Sequence, residues 1–99
     1  MAKYVLTKKT VEDLSGIWEY TCVAWSEKQA DKYYALIVSV FEAIANHPGM
    51  GKIYEEIGEN ISSRGVGEHI IFYRPQGTGN IEIIRILHER MDLKRHLGE

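Results

Sequence analysis

The sequence predicts an α+β fold in which an N-terminal strand and an α-helical hairpin pack on a small antiparallel β-sheet. Apolar residues recur every three or four positions through residues 11–44, which is the period of two amphipathic helices. Two later runs, 69–74 and 81–88, are rich in isoleucine and flank a turn of Gly and Asn residues, a pattern typical of a β-hairpin. Because 99 residues can bury one core but not two, we expect residues 1–99 to form a single domain.

Local signals bound the first strand and the two helices. Residues 3–7 are mostly β-branched or aromatic and too few for a helix, so they predict the first strand. Thr10 precedes two acidic residues and predicts the start of the first helix, while Ser26 predicts the N-cap of the second. The second helix is predicted to end near residue 46, because His47-Pro48-Gly49 follows and the residue before a proline avoids helical geometry.

Both helices carry apolar residues whose role the period alone does not decide. Trp18 and Trp25 are predicted to anchor the helices on the sheet, because large aromatic side chains dominate protein cores. In the second helix, Leu36 and Val40 lie outside the main apolar stripe. Such a helix either lies between two layers of the fold or presents a surface to a partner, and both interpretations stay open.

The second half of the chain predicts the sheet. Residues 49–60 predict a loop with one helical turn at 53–57, and residues 61–66 predict a strand that Gly65 weakens. Side chains alternate between the two faces of a strand, which separates Ile83 from Ile86 in the last strand. Both faces of the 69–88 hairpin are apolar, so one face is expected to cover the helices and the other to be covered by something else.

Composition excludes several classes of protein. Twelve Lys and Arg against 14 Asp and Glu give a net charge of −2, so the chain lacks the basic excess of proteins that coat nucleic acid, and no sequence-specific nucleic-acid binding is expected. The longest apolar run, Tyr33 to Val38, is far too short to span a bilayer, and the N-terminus has no signal core. Cys22 is the single cysteine and the four histidines are dispersed, so we expect no disulfide, no metal, no cofactor and a cytoplasmic location.

Three strings, in this order and spacing, resemble one protein family along most of the chain. They are LSGIWEYT at 14–21, HIIFYR at 69–74 and IRILHERMD at 84–92. Together they resemble the ParE branch of the RelE/ParE toxin superfamily. The resemblance implies the toxin of a type II toxin–antitoxin module, which traps DNA gyrase on cleaved DNA. It also implies a DNA-binding antitoxin whose C-terminal segment folds on the toxin.

The RelE branch of the superfamily, which cleaves mRNA in the ribosome, is the alternative. That chemistry needs a base, an acid and cations around one phosphate, for which the candidates are Arg74, Arg85 and His88. Strand alternation places Arg85 and His88 on opposite faces, so the three do not converge. The sequence therefore favours a gyrase poison that is not an enzyme. Arg74 needs a partner in its apolar strand, either Glu82 or a carboxylate of the antitoxin.

Two surfaces are predicted for partners. The antitoxin is expected on the apolar helix face and the exposed face of the sheet, and the gyrase-facing surface is expected in the C-terminal tail, where cations stand beside Met, as interfaces favour. The antitoxin-binding candidates are Leu36, Val40, Ile70, Phe72, Arg74, Ile84 and Ile86. The gyrase-facing candidates are Arg90, Met91, Lys94 and Arg95.

Overall fold

A strand and two helices precede the remaining strands in the computed structural model, which describes residues 3–53, 58, 60–77 and 79–90. A short 3₁₀ turn at Pro48–Met50 separates the second helix from the rest of the sheet. This order matches the predicted α+β class. The elements are β1 (Tyr4–Leu6), α1 (Lys8–Ala24), α2 (Glu27–Asn46), β2 (Lys52–Ile53), β3 (Ser62–Val66), β4 (His69–Pro75) and β5 (Ile81–His88).

Helix α1 begins one turn earlier than predicted. The N-cap is Thr7, whose hydroxyl oxygen accepts the backbone N–H of Thr10 at 3.1 Å, so the prediction of Thr10 as the helix start is wrong. Thr10 is buried instead, and its hydroxyl donates to the carbonyl of Ile83 at 2.8 Å. The hydroxyl of Thr7 donates to the next carbonyl, that of Ile84, at 2.9 Å. These two bonds fasten the first turn of α1 to β5.

Helix α2 begins and ends as predicted. The Ser26 hydroxyl accepts the backbone N–H of Gln29 at 3.1 Å, and the helix stops at Asn46, ahead of Pro48. In the described part of the chain, neither helix is both long and apolar enough to cross a membrane.

The sheet has the strand order β1-β5-β4-β3-β2. Strands β3 to β5 pair antiparallel, as predicted, and β2 pairs antiparallel to β3. Strand β1 pairs parallel to β5 after the whole helical hairpin has crossed over. The predicted weak strand at 61–66 is β3. The prediction of a loop at 49–60 is wrong at Lys52–Ile53, which pair with Ser62–Ser63 as β2. The helical turn predicted at 53–57 falls mostly outside the described residues.

A β-bulge in β5 changes which side chains face the helices. Phe72 pairs with Arg85 while the next residue, Tyr73, pairs with Ile83, so Ile84 is an extra residue with no partner opposite. The predicted separation of Ile83 and Ile86 onto opposite faces is therefore wrong. Both lie in the main core, because the extra residue shifts the alternation by one position.

The main core lies between the helices and the sheet, and a smaller cluster lies on the other face of the sheet. Phe72 is 0% exposed and Ile86 is 3% exposed, so the prediction that they await a partner is wrong. Of the two residues whose role stayed open, Leu36 lies at the surface, 47% exposed, and Val40 is half-buried against the core. The main core consists of Leu14, Ile37, Phe41, Ile44, Val66, Ile71, Tyr73, Ile81, Ile83 and Ile86, and the second of Ile61, Phe72 and Leu87 with Ile70 and Ile84 packed on it.

Neither tryptophan anchors the core. Trp25 follows the last residue of α1 and is 77% exposed. Trp18 is half-buried, and its indole N–H donates to the Asp31 carboxylate on α2 at 3.0 Å. The buried face of α1 runs through Thr10, Leu14 and Thr21, so Trp18 braces one helix against the other rather than against the sheet.

Candidate functional site

A cavity of about 850 Å³ lies between the helical hairpin and the ends of β4 and β5. We call it the hairpin groove. Its rim is open, since Tyr20 is 73% exposed and Trp25 projects beside it. Pockets of this size hold ligands or several side chains of a partner. The groove is lined by Glu12, Asp13, Gly16, Ile17, Tyr20, Thr21, Trp25, Gln29, Tyr33, Gly67, Glu68, His69, Arg85, Ile86, Leu87 and His88.

The hydroxyl of Tyr33 joins α2 to the turn between β3 and β4. It lies 2.7 Å from Nδ1 of His69 and 3.1 Å from the carbonyl oxygen of Val66, and it accepts the backbone N–H of Glu68 at 3.3 Å. The pKa of the Tyr33 phenol is raised, first by burial, so it stays protonated at neutral pH. One phenol thus contacts three residues of the segment 66–69 and holds that segment against α2.

Gly67 lets the turn approach that phenol. Its φ of +56° lies in the left-handed region that favours glycine, and a Cβ there would stand 2.6 Å from the Tyr33 hydroxyl oxygen. A side chain at this position would therefore strain the backbone and displace Tyr33 at the same time.

Two imidazoles face each other in the wall of the groove. His69 and His88 are cross-strand partners whose ring centroids lie 5.3 Å apart, edge to face. Nδ1 of His88 accepts the backbone N–H of Arg90 at 3.1 Å, which assigns the ring proton to Nε2, 3.6 Å from the Glu68 carboxylate. The pKa of His69 is lowered, first by burial and then by His88, so His69 is neutral at pH 7.

The charge of Arg85 is neutralised inside the fold. Its Nε and Nη2 donate to the two carboxylate oxygens of Asp13 on α1 at 2.8 and 3.0 Å, and the backbone N–H of Ile86 donates to the same carboxylate at 3.0 Å. Both side chains of the pair are 15% exposed. A carboxylate so engaged fixes the arginine in place and leaves it little capacity to hold a phosphate.

The structure brings together two of the three residues that mRNA cleavage would need. Arg85 and His88 both line the hairpin groove, as do Ile86 and Leu87 between them. The pairing of residues 85–88 with β4 is regular, because the bulge at Ile84 precedes Arg85, so the two side chains still alternate along the strand. Arg74 lies elsewhere: it is five residues along β4 from His69, about 17 Å at ~3.4 Å per residue. The predicted pairing of Arg74 with Glu82 is confirmed, with Nε donating at 2.8 Å.

Within the described residues, no group of three His, Cys, Asp or Glu side chains is arranged to hold a metal ion. The pKa of the Cys22 thiol is raised by desolvation and by neighbouring acids such as Glu27, which disfavours the nucleophilic thiolate.

Sequence reasoning missed the main parts of the groove. Tyr20 gave a usable signal, because an aromatic residue off the apolar stripe of an amphipathic helix is often exposed for contact. Gly67, which precedes Glu68 in a turn, gave a weaker signal. Among the predicted gyrase-facing residues, Arg90 is exposed at the end of β5, while Met91, Lys94 and Arg95 lie outside the described residues.

Comparisons with known proteins agree with each other. The family model described as the ParE toxin of type II toxin–antitoxin systems, parDE, matches residues 4–93. The chain is 38% identical over 98 residues to Toxin ParE1 of Caulobacter vibrioides, spanning 99% of this chain and 100% of that protein. It is 32% identical over 96 residues to Toxin ParE1 of Mycobacterium tuberculosis, spanning 97% and 98%. Its fold superposes, with a TM-score of 0.76 at 20% identity, on a chain of the chromosomal ParDE system from P. aeruginosa, covering 89% and 96%.

Proposed function

The chain belongs to the ParE toxin family of type II toxin–antitoxin systems, and we propose that it poisons DNA gyrase until a cognate antitoxin folds onto it. The observation that carries the proposal is the family match over residues 4–93, which includes both helices, β1 to β4 and all of β5. The resemblance to ParE-branch toxins implies the gyrase target and the antitoxin partner.

The arrangement of the cations supports a poison over an mRNA endonuclease. Arg85 is held by Asp13 and Arg74 by Glu82, so both charges are engaged before any phosphate arrives. Arg74 and His88 lie at opposite ends of the β4–β5 hairpin, too far apart to contact one phosphate. The net charge of −2 gives no attraction towards ribosomal RNA. The endonuclease stays the alternative because Arg85 and His88 both line the groove.

The antitoxin has exposed apolar surface to cover. Of the predicted contact residues, Leu36 is exposed, and Ile70 and Ile84 are half-buried on the far face of the sheet. The hairpin groove adds Tyr20 and Trp25, which are more exposed than any of these. Monomeric proteins rarely leave such patches uncovered, and a segment that folds on binding buries roughly 1,000–3,000 Å². We therefore place the antitoxin on the α2 face and in the groove, with Arg74 as a polar contact at the edge.

We place the gyrase-facing surface at the end of the chain. Arg90 is exposed immediately after β5, and the tail continues with Met91, Lys94 and Arg95. Interfaces are enriched in Arg and Met and depend on a few such anchors. The test is a triple variant, Arg90→Ala with Lys94→Ala and Arg95→Ala, checked first for folding and for antitoxin binding. If it inhibits gyrase supercoiling as strongly as the parent chain, this surface is not the effector.

Induced expression distinguishes the two candidate functions. A poison arrests growth, induces the DNA-damage response and leaves reporter mRNA intact, whereas an endonuclease cuts mRNA at codon-defined positions. His88→Ala is the matched variant, because only the endonuclease needs that imidazole for proton transfer. Codon-positioned cleavage that disappears in His88→Ala overturns the gyrase proposal.

A further inference from the structure

The hairpin groove carries negative charge that the fold does not neutralise. Among the described residues that line it, Arg85 is the one Lys or Arg, and Asp13 cancels its charge. Glu12 and Glu68 remain; within the described residues Glu12 has no salt bridge, and Glu68 faces only the imidazole of His88. His69 is neutral at pH 7, so it adds no positive charge to the groove. The groove is thus acidic at its rim, where both carboxylates are exposed.

Aromatic rings lie at the rim and on the floor of the hairpin groove. Tyr20 and Trp25 project at the rim with most of their surface free, and Tyr33 forms part of the floor. The negative face of an aromatic ring attracts a cation, and the attraction strengthens when water is excluded. Lysine and arginine also bury their methylene stems on apolar surface while the charged head seeks carboxylates. Ile17 provides such apolar surface beside the rings.

We propose that the hairpin groove is a receptor site for a basic side chain, Arg or Lys, carried on an apolar segment of the partner protein. This inference rests on the proposed function, since the antitoxin is the partner that brings the segment. The volume of about 850 Å³ is larger than one side chain needs, so the basic residue enters with apolar neighbours that pack on Ile17 and the exposed rings. A mildly acidic toxin then meets a basic-apolar segment, and the charges are complementary across the interface.

Three small probes of one shape and different charge test the site without the antitoxin. They are 4-phenylbutylamine, 4-phenylbutanol and 4-phenylbutyrate, titrated into the ¹⁵N-labelled protein at low salt. The amine is expected to shift the Trp25 indole N–H and the backbone amide of Tyr20, and to bind at least tenfold more tightly than the carboxylate. Added salt should reduce that ratio, because the carboxylates are partly exposed. Equal binding of the three probes, tighter binding of the carboxylate, or no shift in the groove with the amine overturns the proposal.

A matched pair of variants separates the local site from the overall charge. Glu12→Gln with Glu68→Gln should abolish the preference for the amine. Glu27→Gln with Glu42→Gln changes the net charge equally at exposed positions outside the groove and should keep it. If both double variants lose the preference to the same extent, the effect is global and the site is not a receptor. The probes involve neither gyrase nor antitoxin, so this outcome and the failure of the proposed function are distinguishable.

Discussion

Removal of the Asp13 charge should strongly destabilise the fold. In Asp13→Asn, Arg85 keeps its charge at a position that is 15% exposed and loses the carboxylate of Asp13. Breaking a buried ion pair from one side costs about 3–5 kcal/mol, because an uncompensated charge stays in the interior. Since both side chains retain some contact with water, we take the lower end, about 3 kcal/mol. That is a large part of the roughly 5–15 kcal/mol that stabilises a domain of this size.

Urea denaturation followed by circular dichroism measures this loss. With a urea m-value of about 2 kcal/mol/M, the midpoint should fall by about 1.5 M while the m-value stays constant. A double-mutant cycle with Arg85→Met should give a coupling energy of about 2 kcal/mol, because removing both partners leaves no unpaired charge. The matched control is Glu82→Gln, which removes the ion pair to the half-exposed Arg74 and should cost less than about 1 kcal/mol.

A small shift of the urea midpoint in Asp13→Asn would refute this reasoning. If Asp13→Asn shifts the midpoint no more than Glu82→Gln does, the Asp13–Arg85 pair does not hold α1 on β5. The argument against the mRNA endonuclease would then lose its main support.

Three further predictions test the groove. Gly67→Ala should lower the free energy of unfolding by about 2 kcal/mol more than Gly79→Ala does in urea titrations. Both glycines have positive φ, but only a Cβ at position 67 meets the Tyr33 hydroxyl. Equal losses of stability in the two variants would contradict this. Trp25→Ser should change stability by less than about 0.5 kcal/mol, as expected for an exposed residue, yet weaken antitoxin binding at least tenfold by calorimetry; unchanged affinity would remove Trp25 from the interface. The folded state lowers the pKa of His69 below 6.5, so the unfolded state binds a proton first as pH falls. Stability in thermal melts should therefore fall as pH drops below about 6.5, and His69→Gln should flatten that dependence. An identical pH profile in the variant would show that another group titrates.

The parts of the fold that sequence reasoning predicted correctly are those with local causes. The helical period, the Ser26 cap and the stop before Pro48 each act within a few residues, and all are present in the structure. The N-cap of α1 was misplaced because two threonines stand three residues apart and only the contact with β5 distinguishes them. Thr7 caps the helix, whereas Thr10 bonds the carbonyl of Ile83 from a buried position.

The bulge in β5 has no such local cause, and it altered the predicted faces of the strand. Nothing in the run Ile81–His88, which contains neither Gly nor Pro, marks an extra residue. The shift places Ile83 and Ile86 in the same core, so strict alternation failed for that face assignment. The spacing of Arg85 and His88 lies beyond the bulge and is unchanged by it. The engagement of Arg85 by Asp13 and the distance of Arg74 add two structural arguments against the endonuclease.

Sequence patterns could not predict the hairpin groove. Its hydrogen-bond centre joins Tyr33 of α2 to His69 of β4, 36 residues away, through a turn that needs Gly67. Periodicity describes one element at a time and cannot place two distant elements in contact. Trp25 was assigned to the core by its size, whereas its position just after the last residue of α1 leaves it exposed.

A cleavage assay with purified DNA gyrase, relaxed plasmid and ATP decides whether this chain is a gyrase poison. After detergent and protease treatment, the chain should cause linear DNA to accumulate in proportion to its concentration, and supercoiling should be inhibited over the same range. A stoichiometric amount of the antitoxin should abolish both effects. A preparation that arrests growth in cells yet produces no linear DNA and leaves supercoiling unchanged at large excess over gyrase would contradict the proposed function.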